Sequence, residues 1–173
     1  SKLTLSTLNV ESTGASVANV NMITDGEAQM AILQSDVINY AHEGTNSFDG
    51  APETDALWVA GIYNETVQIL AKPGINTVAD LKGKKVGGQI GTTGIFVMRK
   101  ADVDADLKEY DDVGLAIQDM VGGRLDAVIC DDPVAMYYVN KKADYAGKLN
   151  LSFKTGDKEY YGFTVRKLSL IHI

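Results

Sequence analysis

Gly91-Thr92-Thr93-Gly94 sets two hydroxyls and a run of unhindered backbone N–H groups where a strand expected at 86–90 gives way to a helix expected at 95–100. The first amides of a helix lack intrahelical partners and sit at the positive end of its dipole, so such a mouth suits a carboxylate or phosphate. An ordinary αβα connector reads the same way, and the tetrapeptide alone does not decide. Three other clusters offer polar chemistry at strand-to-helix passages. Thr13, Gly14 and Ser16 supply hydroxyl and amide donors at the start of a helix running to Ile23. Gln34, Ser35 and Asp36 follow the apolar strand 30–33, and Asp131 closes the apolar strand 125–130. Asp131 or Asp132 also suits the cap of the helix behind it, whose first turn holds Pro133. Glu65 is an outlying carboxylate candidate.

These clusters need elements to position them. Alternation at 8–12 predicts a strand, and Gly26 ends the helix that follows. A helix at 37–42 precedes a Gly-, Asn-, Asp- and Pro-rich loop at 44–55. Strands are expected at 57–63 and 66–71, the second broken by Lys72-Pro73-Gly74. Thr77 caps a helix at 78–82 whose end is basic through Lys82, Lys84 and Lys85. Beyond the glycine loop come a strand at 106–110, a helix at 112–121 closed by Gly122-Gly123, and a helix at 133–139. Strands at 149–154 and 160–166, joined by a turn at Gly156-Asp157-Lys158, complete the chain. Strands alternating with helices in this way imply an α/β fold with mostly parallel sheets and helices on both faces.

The chain has 173 residues, 45% hydrophobic and 23% charged, enough for a real core and too mixed in charge for disorder. A net charge of −7, from 16 basic and 23 acidic residues, argues against a nucleic-acid partner. Cys130 is the single cysteine, so an intrachain disulfide is excluded, and His42 and His172 lie too far apart in sequence to suggest a metal. No stretch has the 18 or so apolar residues of a membrane span. Nucleophile-elbow, zinc-protease, Walker and dinucleotide motifs are lacking, so the expectation is a binding protein without cofactor or catalytic residues.

The segment Asp80-Leu81-Lys82-Gly83-Lys84-Lys85-Val86-Gly87-Gly88-Gln89-Ile90-Gly91-Thr92-Thr93-Gly94 resembles bacterial type II solute-binding proteins. Residues 11–20 and 26–36 are similar to the TAXI group of TRAP-transporter receptors. Residues 123–135 resemble the amino-acid receptors of ABC transporters. The resemblance implies two α/β lobes, lobe one from 1–70 and 160–167 and lobe two from 71–159. It also implies a monomer that delivers a small anionic or zwitterionic ligand, such as glutamate, to a membrane permease. In the amino-acid receptors the aspartate that matches Asp131 takes the ligand's ammonium and the mouth that matches Gly-Thr-Thr-Gly takes its carboxylate, so the resemblance implies these roles here. Asp126 matches a structural position. The cleft arginine of the ABC-type receptors has no counterpart in Tyr63-Asn64-Glu65-Thr66-Val67-Gln68, which puts bidentate carboxylate recognition in doubt. A ligand-sensing domain of a signalling protein has the same fold and is the alternative.

The same resemblance leads to the expectation that lobe one is incomplete at its N-terminal side, since the family places a strand, a glycine-rich loop and a helix before this point. No signal-peptide pattern opens the chain at Ser1-Lys2-Leu3-Thr4. Residues 168–173 read as a non-native tail, similar to a translated sequencing adapter. The parent is expected to be periplasmic or extracellular, free or held by a lipoprotein anchor.

Overall fold

Two 16-residue strands, β2 (Ala56–Ala71) and β6 (Leu151–Arg166), run antiparallel as a ribbon that carries every other element. At the usual rise per residue each spans roughly 50 Å. The computed structural model describes residues 8–145 and 147–167. Along the chain these hold α1 (Ser16–Thr24), β1 (Met30–Gln34), α2 (Ser35–Glu43), β2, β3 (Lys85–Gln89) and α3 (Thr93–Lys100). Then follow β4 (Asp106–Tyr110), α4 (Val113–Val121), β5 (Ala127–Asp131), α5 (Asp132–Asn140) and β6. The strand order is β1-β6-β2-β5-β3-β4. β3 pairs parallel with both β4 and β5, whereas β1, β6, β2 and β5 pair antiparallel in succession.

The α/β class therefore holds, with the parallel pairing concentrated in β3, β4 and β5. The antiparallel pairs arise because the two long strands run opposite ways through the sheet. Each had been expected as two shorter strands. β2 continues through 64–65 without a break, since nothing there lacks an N–H or forces a turn. In β6 the expected turn at 156–158 becomes a bulge: Glu65 pairs with Glu159 and Val67 with Thr155, leaving three β6 residues opposite Thr66. The segment expected as a strand at 8–12 has no regular element, and 78–82 forms a 3-10 turn over Val78–Leu81 in place of an α-helix. That turn is fixed by Asp80, whose carboxylate accepts from the amides of Asn76 and Thr77. The tail at 168–173 lies outside the described residues.

Local sequence accounts for most of the helices. Asp112 caps α4 by accepting from Gly114 N at 2.7 Å. Gly44 ends α2 in the left-handed conformation, at φ 65°, and donates to Ala41 O. Apolar residues at three- and four-residue spacing then face inward, as Val37, Ile38 and Ala41 do in α2 and Ala116, Ile117 and Met120 in α4. At the β5 end the sheet is covered on both faces. Ala127 and Ile129 join Val67, Val86 and Met98 in one core, while Val128 and Cys130 join Ile117, Met120 and Leu125 in another. Gly88 permits this closeness: a Cβ there would come within 2.7 Å of Ile95 and 2.8 Å of Ile129.

Candidate ligand-binding site

Strand register brings the site together. Gln34, the last residue of β1, is the partner of Tyr161 on β6, and Tyr161 is in turn the partner of Tyr63 on β2. Two residues along β2, on the same face, Glu65 faces Glu159 across the ribbon. Two residues further, Val67 pairs with Asp131 at the end of β5. Four carboxyl groups from α2, β2, β5 and β6 thus converge: Asp36, Glu65, Asp131 and Glu159. Like charges directly opposite each other in a strand pair are destabilising, so this placement disfavours ionising both glutamates together.

The hydrogen bonds divide the four into two pairs. Gln34, 1% exposed, donates through Nε2 to Glu65 Oε2 at 3.2 Å and to Asp131 Oδ1 at 3.4 Å. The Tyr161 hydroxyl donates to Asp131 Oδ2 at 2.7 Å. Thr93 Oγ1 lies 2.8 and 2.9 Å from the Asp36 carboxylate oxygens and 3.4 Å from Glu159 Oε2. Burial first, and then the neighbouring acids, push the carboxyls of Glu65 and Glu159 well above the ordinary carboxylate range. The Tyr161 hydroxyl is pushed up for the same two reasons.

Of the expected site residues, Gln34, Asp36, Thr93 and Asp131 meet here. Ser35 is adjacent, its Oγ accepting from Tyr160 N at 3.1 Å. Ser16 serves Gln34: its Oγ donates to Gln34 Oε1 at 3.3 Å and accepts from Gln34 N at 3.2 Å. Gly14 is tied to the end of β3, its carbonyl accepting from Gln89 Nε2. Thr92 turns its hydroxyl back to Gln89 O at 2.7 Å, Gly91 sits against Val17 at φ 73°, and Gly94 packs on Ile129. Thr13 lies apart, bonded to Asn19 and lining a broad groove along β1. The helix cap considered for Asp131 is not made, since its carboxylate turns to Tyr161 and Gln34. Asp126 is structural, holding Lys72 Nζ at 2.9 Å and Lys85 N at 3.0 Å.

Sequence reading left Glu65 at the margin and missed Glu159 and Tyr161. The only local signal for them was polar residues in strands otherwise apolar. Beside Asp131 the open space is a cavity of about 20 Å³, lined by Gln89, Thr92, Val113 and Ile129, room for about one water. α2 and α3 are joined beside it by the Thr93–Asp36 contact and by the Tyr40–Phe96 edge contact, where the ring centroids are 5.3 Å apart. No three His, Cys, Asp or Glu side chains among the described residues are placed to hold a metal ion. None of the described helices is long and apolar enough to cross a membrane.

The profile of the NMT1-like family matches residues 3–159. The chain belongs to that family. This NMT1-like chain is 39% identical over 82 residues to the L-cystine-binding protein TcyJ of Escherichia coli K12, a match covering 45% of the chain and 31% of TcyJ. It superposes with TM-score 0.68 on an ancestral arginine-binding protein bound to arginine, at 25% identity, over 87% of this chain and 63% of that one. Holo ArgBP from T. maritima gives TM-score 0.68 at 21% identity over 90% and 63% of the two chains. The GluR0 ligand-binding core with L-glutamate gives 0.68 at 17% over 92% and 72%. The fold is that of the type II periplasmic solute-binding proteins. The chain spans less than two thirds of the arginine-binding chains, and none of these matches carries a TAXI description.

Proposed function

We propose that the NMT1-like chain is the ligand-binding part of an extracytoplasmic receptor that captures an amino acid and delivers it to a membrane permease of the ABC type. Asp131 carries the reading. It stands at the carboxyl end of a buried strand, where open α/β sheets present their ligands, free of the capping role its position offers and oriented by Tyr161 and Gln34. A carboxylate so placed receives an ammonium group. The names of TcyJ and the arginine-binding proteins, all amino-acid binders, support the same class and favour binding over catalysis.

In this reading β2 and β6 are the crossing strands between lobe one (1–70 and 160–167) and lobe two (71–159). Their irregular register, shifted at Gly61/Tyr63 and Glu65/Val67, is where a hinge bends. Closure brings α2 and the end of β1 against α3 and the end of β5. The ligand's carboxylate goes to the backbone amides of the first turn of α3, at Thr93 and Gly94, while the Thr93 hydroxyl stays with Asp36. The receptor is periplasmic or extracellular, free or lipid-anchored, and acts as a monomer without cofactor. A TRAP permease is the second choice of partner.

The experiment is a thermal-shift screen of the full-length protein with amino acids, dicarboxylates and sugar acids, repeated with Asp131→Asn. Amino acids should raise the melting temperature by mass action, and the variant should lose that shift. Stabilisation only by compounds without an amine, unchanged in the variant, would overturn the assignment.

A further inference from the structure

On the reading that this cleft binds a ligand, its charge asks for more than one ammonium. Asp36, Glu65, Asp131 and Glu159 are faced by Gln34 from β1, Tyr40 from α2, Tyr63 from β2, Thr93 from α3, Cys130 from β5 and Tyr161 from β6. All of these are uncharged. The ion pairs among the described residues leave the four acids out: Lys154, near this end of β5, is held by Asp132 at 2.7 Å. Glu65 is only 3% exposed, and among the described residues its Oε1 meets no N–H or hydroxyl donor, only the carboxyl of Asp131, with which it can pair solely through a shared proton. Burial and the neighbouring acid make Glu65 costly to ionise, and a cation brought between it and Asp131 would take the place of the proton they share. No three of these acids are placed to share a metal ion.

The two pairs also have separate scaffolds. Gln34 and Tyr161 hold Glu65 with Asp131, while Thr93 holds Asp36 with Glu159. We propose that the ligand presents two cationic groups, its α-ammonium to Glu65 and Asp131 and a second, side-chain cation to Asp36 and Glu159, as an amino acid with a basic side chain does. Glutamate would bring a further carboxylate beside four carboxyl groups. Each arriving cation lowers the proton affinity that burial and mutual repulsion raise in Glu65 and Glu159, so binding releases protons and tightens as the pH rises.

Calorimetric titration of the full-length protein with L-lysine, L-arginine, L-glutamine and L-glutamate, in two buffers of different ionisation enthalpy, tests this. Lysine or arginine should bind at least about 30-fold more tightly than glutamine, with protons released to the buffer. Glu159→Gln should bring the lysine-to-glutamine affinity ratio, both constants being measured in the same variant, close to one and diminish the proton release. Glutamine or glutamate binding as tightly as lysine overturns the second cation and leaves the amino-acid receptor standing. Failure of all four to bind overturns both.

Discussion

β1 and β5 look alike as sequence and are buried differently. Met30-Ala31-Ile32-Leu33 and Ala127-Val128-Ile129-Cys130 are both continuous apolar runs, the pattern of a strand covered on two faces. β5 meets that expectation, its alternate residues entering separate cores. β1 does not. Leu33 is buried against α1 and α2, while Met30 and Ile32 on the other face are 56% and 46% exposed. The expectation of a buried strand at 30–33 is corrected to a half-buried edge strand. Apolar composition reports which faces a strand can bury; whether a second layer covers the second face depends on what packs there.

Paired truncations test this difference most directly. Ile129→Ala should destabilise the protein by ~2–5 kcal/mol through the cavity it leaves, whereas Ile32→Ala should cost less than ~1 kcal/mol. Urea denaturation reads both, and equal losses would dissolve the contrast. A smaller effect separates the acid cluster from either core. Glu65 and Glu159 hold protons in the folded chain that they give up when unfolded, so the folded state binds more protons above the ordinary glutamate value of 4.5. Stability should therefore fall as pH rises from about 5 towards 9, and Glu65→Gln should flatten that slope. Melting temperatures across this range that stay level in the parent protein would remove the buried-acid account. Smallest is the Lys72–Asp126 pair beside β5, partly exposed on both sides. Lys72→Met should cost under ~1 kcal/mol and grow harder to detect as salt is raised.

Much of the fold was legible because its signals are local. The capping aspartate of α4, the glycine that ends α2, the proline at the start of α5 and the three- and four-residue spacing of α4 act within one or two turns of chain. Asp131 was legible as well, standing where an apolar run stops. The long strands were not. Gly156-Asp157-Lys158 carries turn residues, and the same permissive backbone serves a bulge when the partner strand continues past it. The mouth at Gly91–Gly94 was read as open to a ligand's anion, yet in the folded chain Thr93 is engaged by Asp36 from 57 residues earlier.

What the sequence determined by itself is therefore the set of elements, the α/β class and the strand-to-helix passages that face a common edge. These follow from propensity, periodicity and capping, whose ranges are a few residues. Tertiary structure alone decided that Glu65 and Glu159 stand opposite each other and beside Asp131. That placement depends on the register of two antiparallel 16-residue strands whose facing positions, at the site, are 94 residues apart (65 and 159). A shift of one residue would turn either glutamate to the other face of the sheet. Charge at the site is thus a product of register, and register is fixed by packing at both ends of the ribbon.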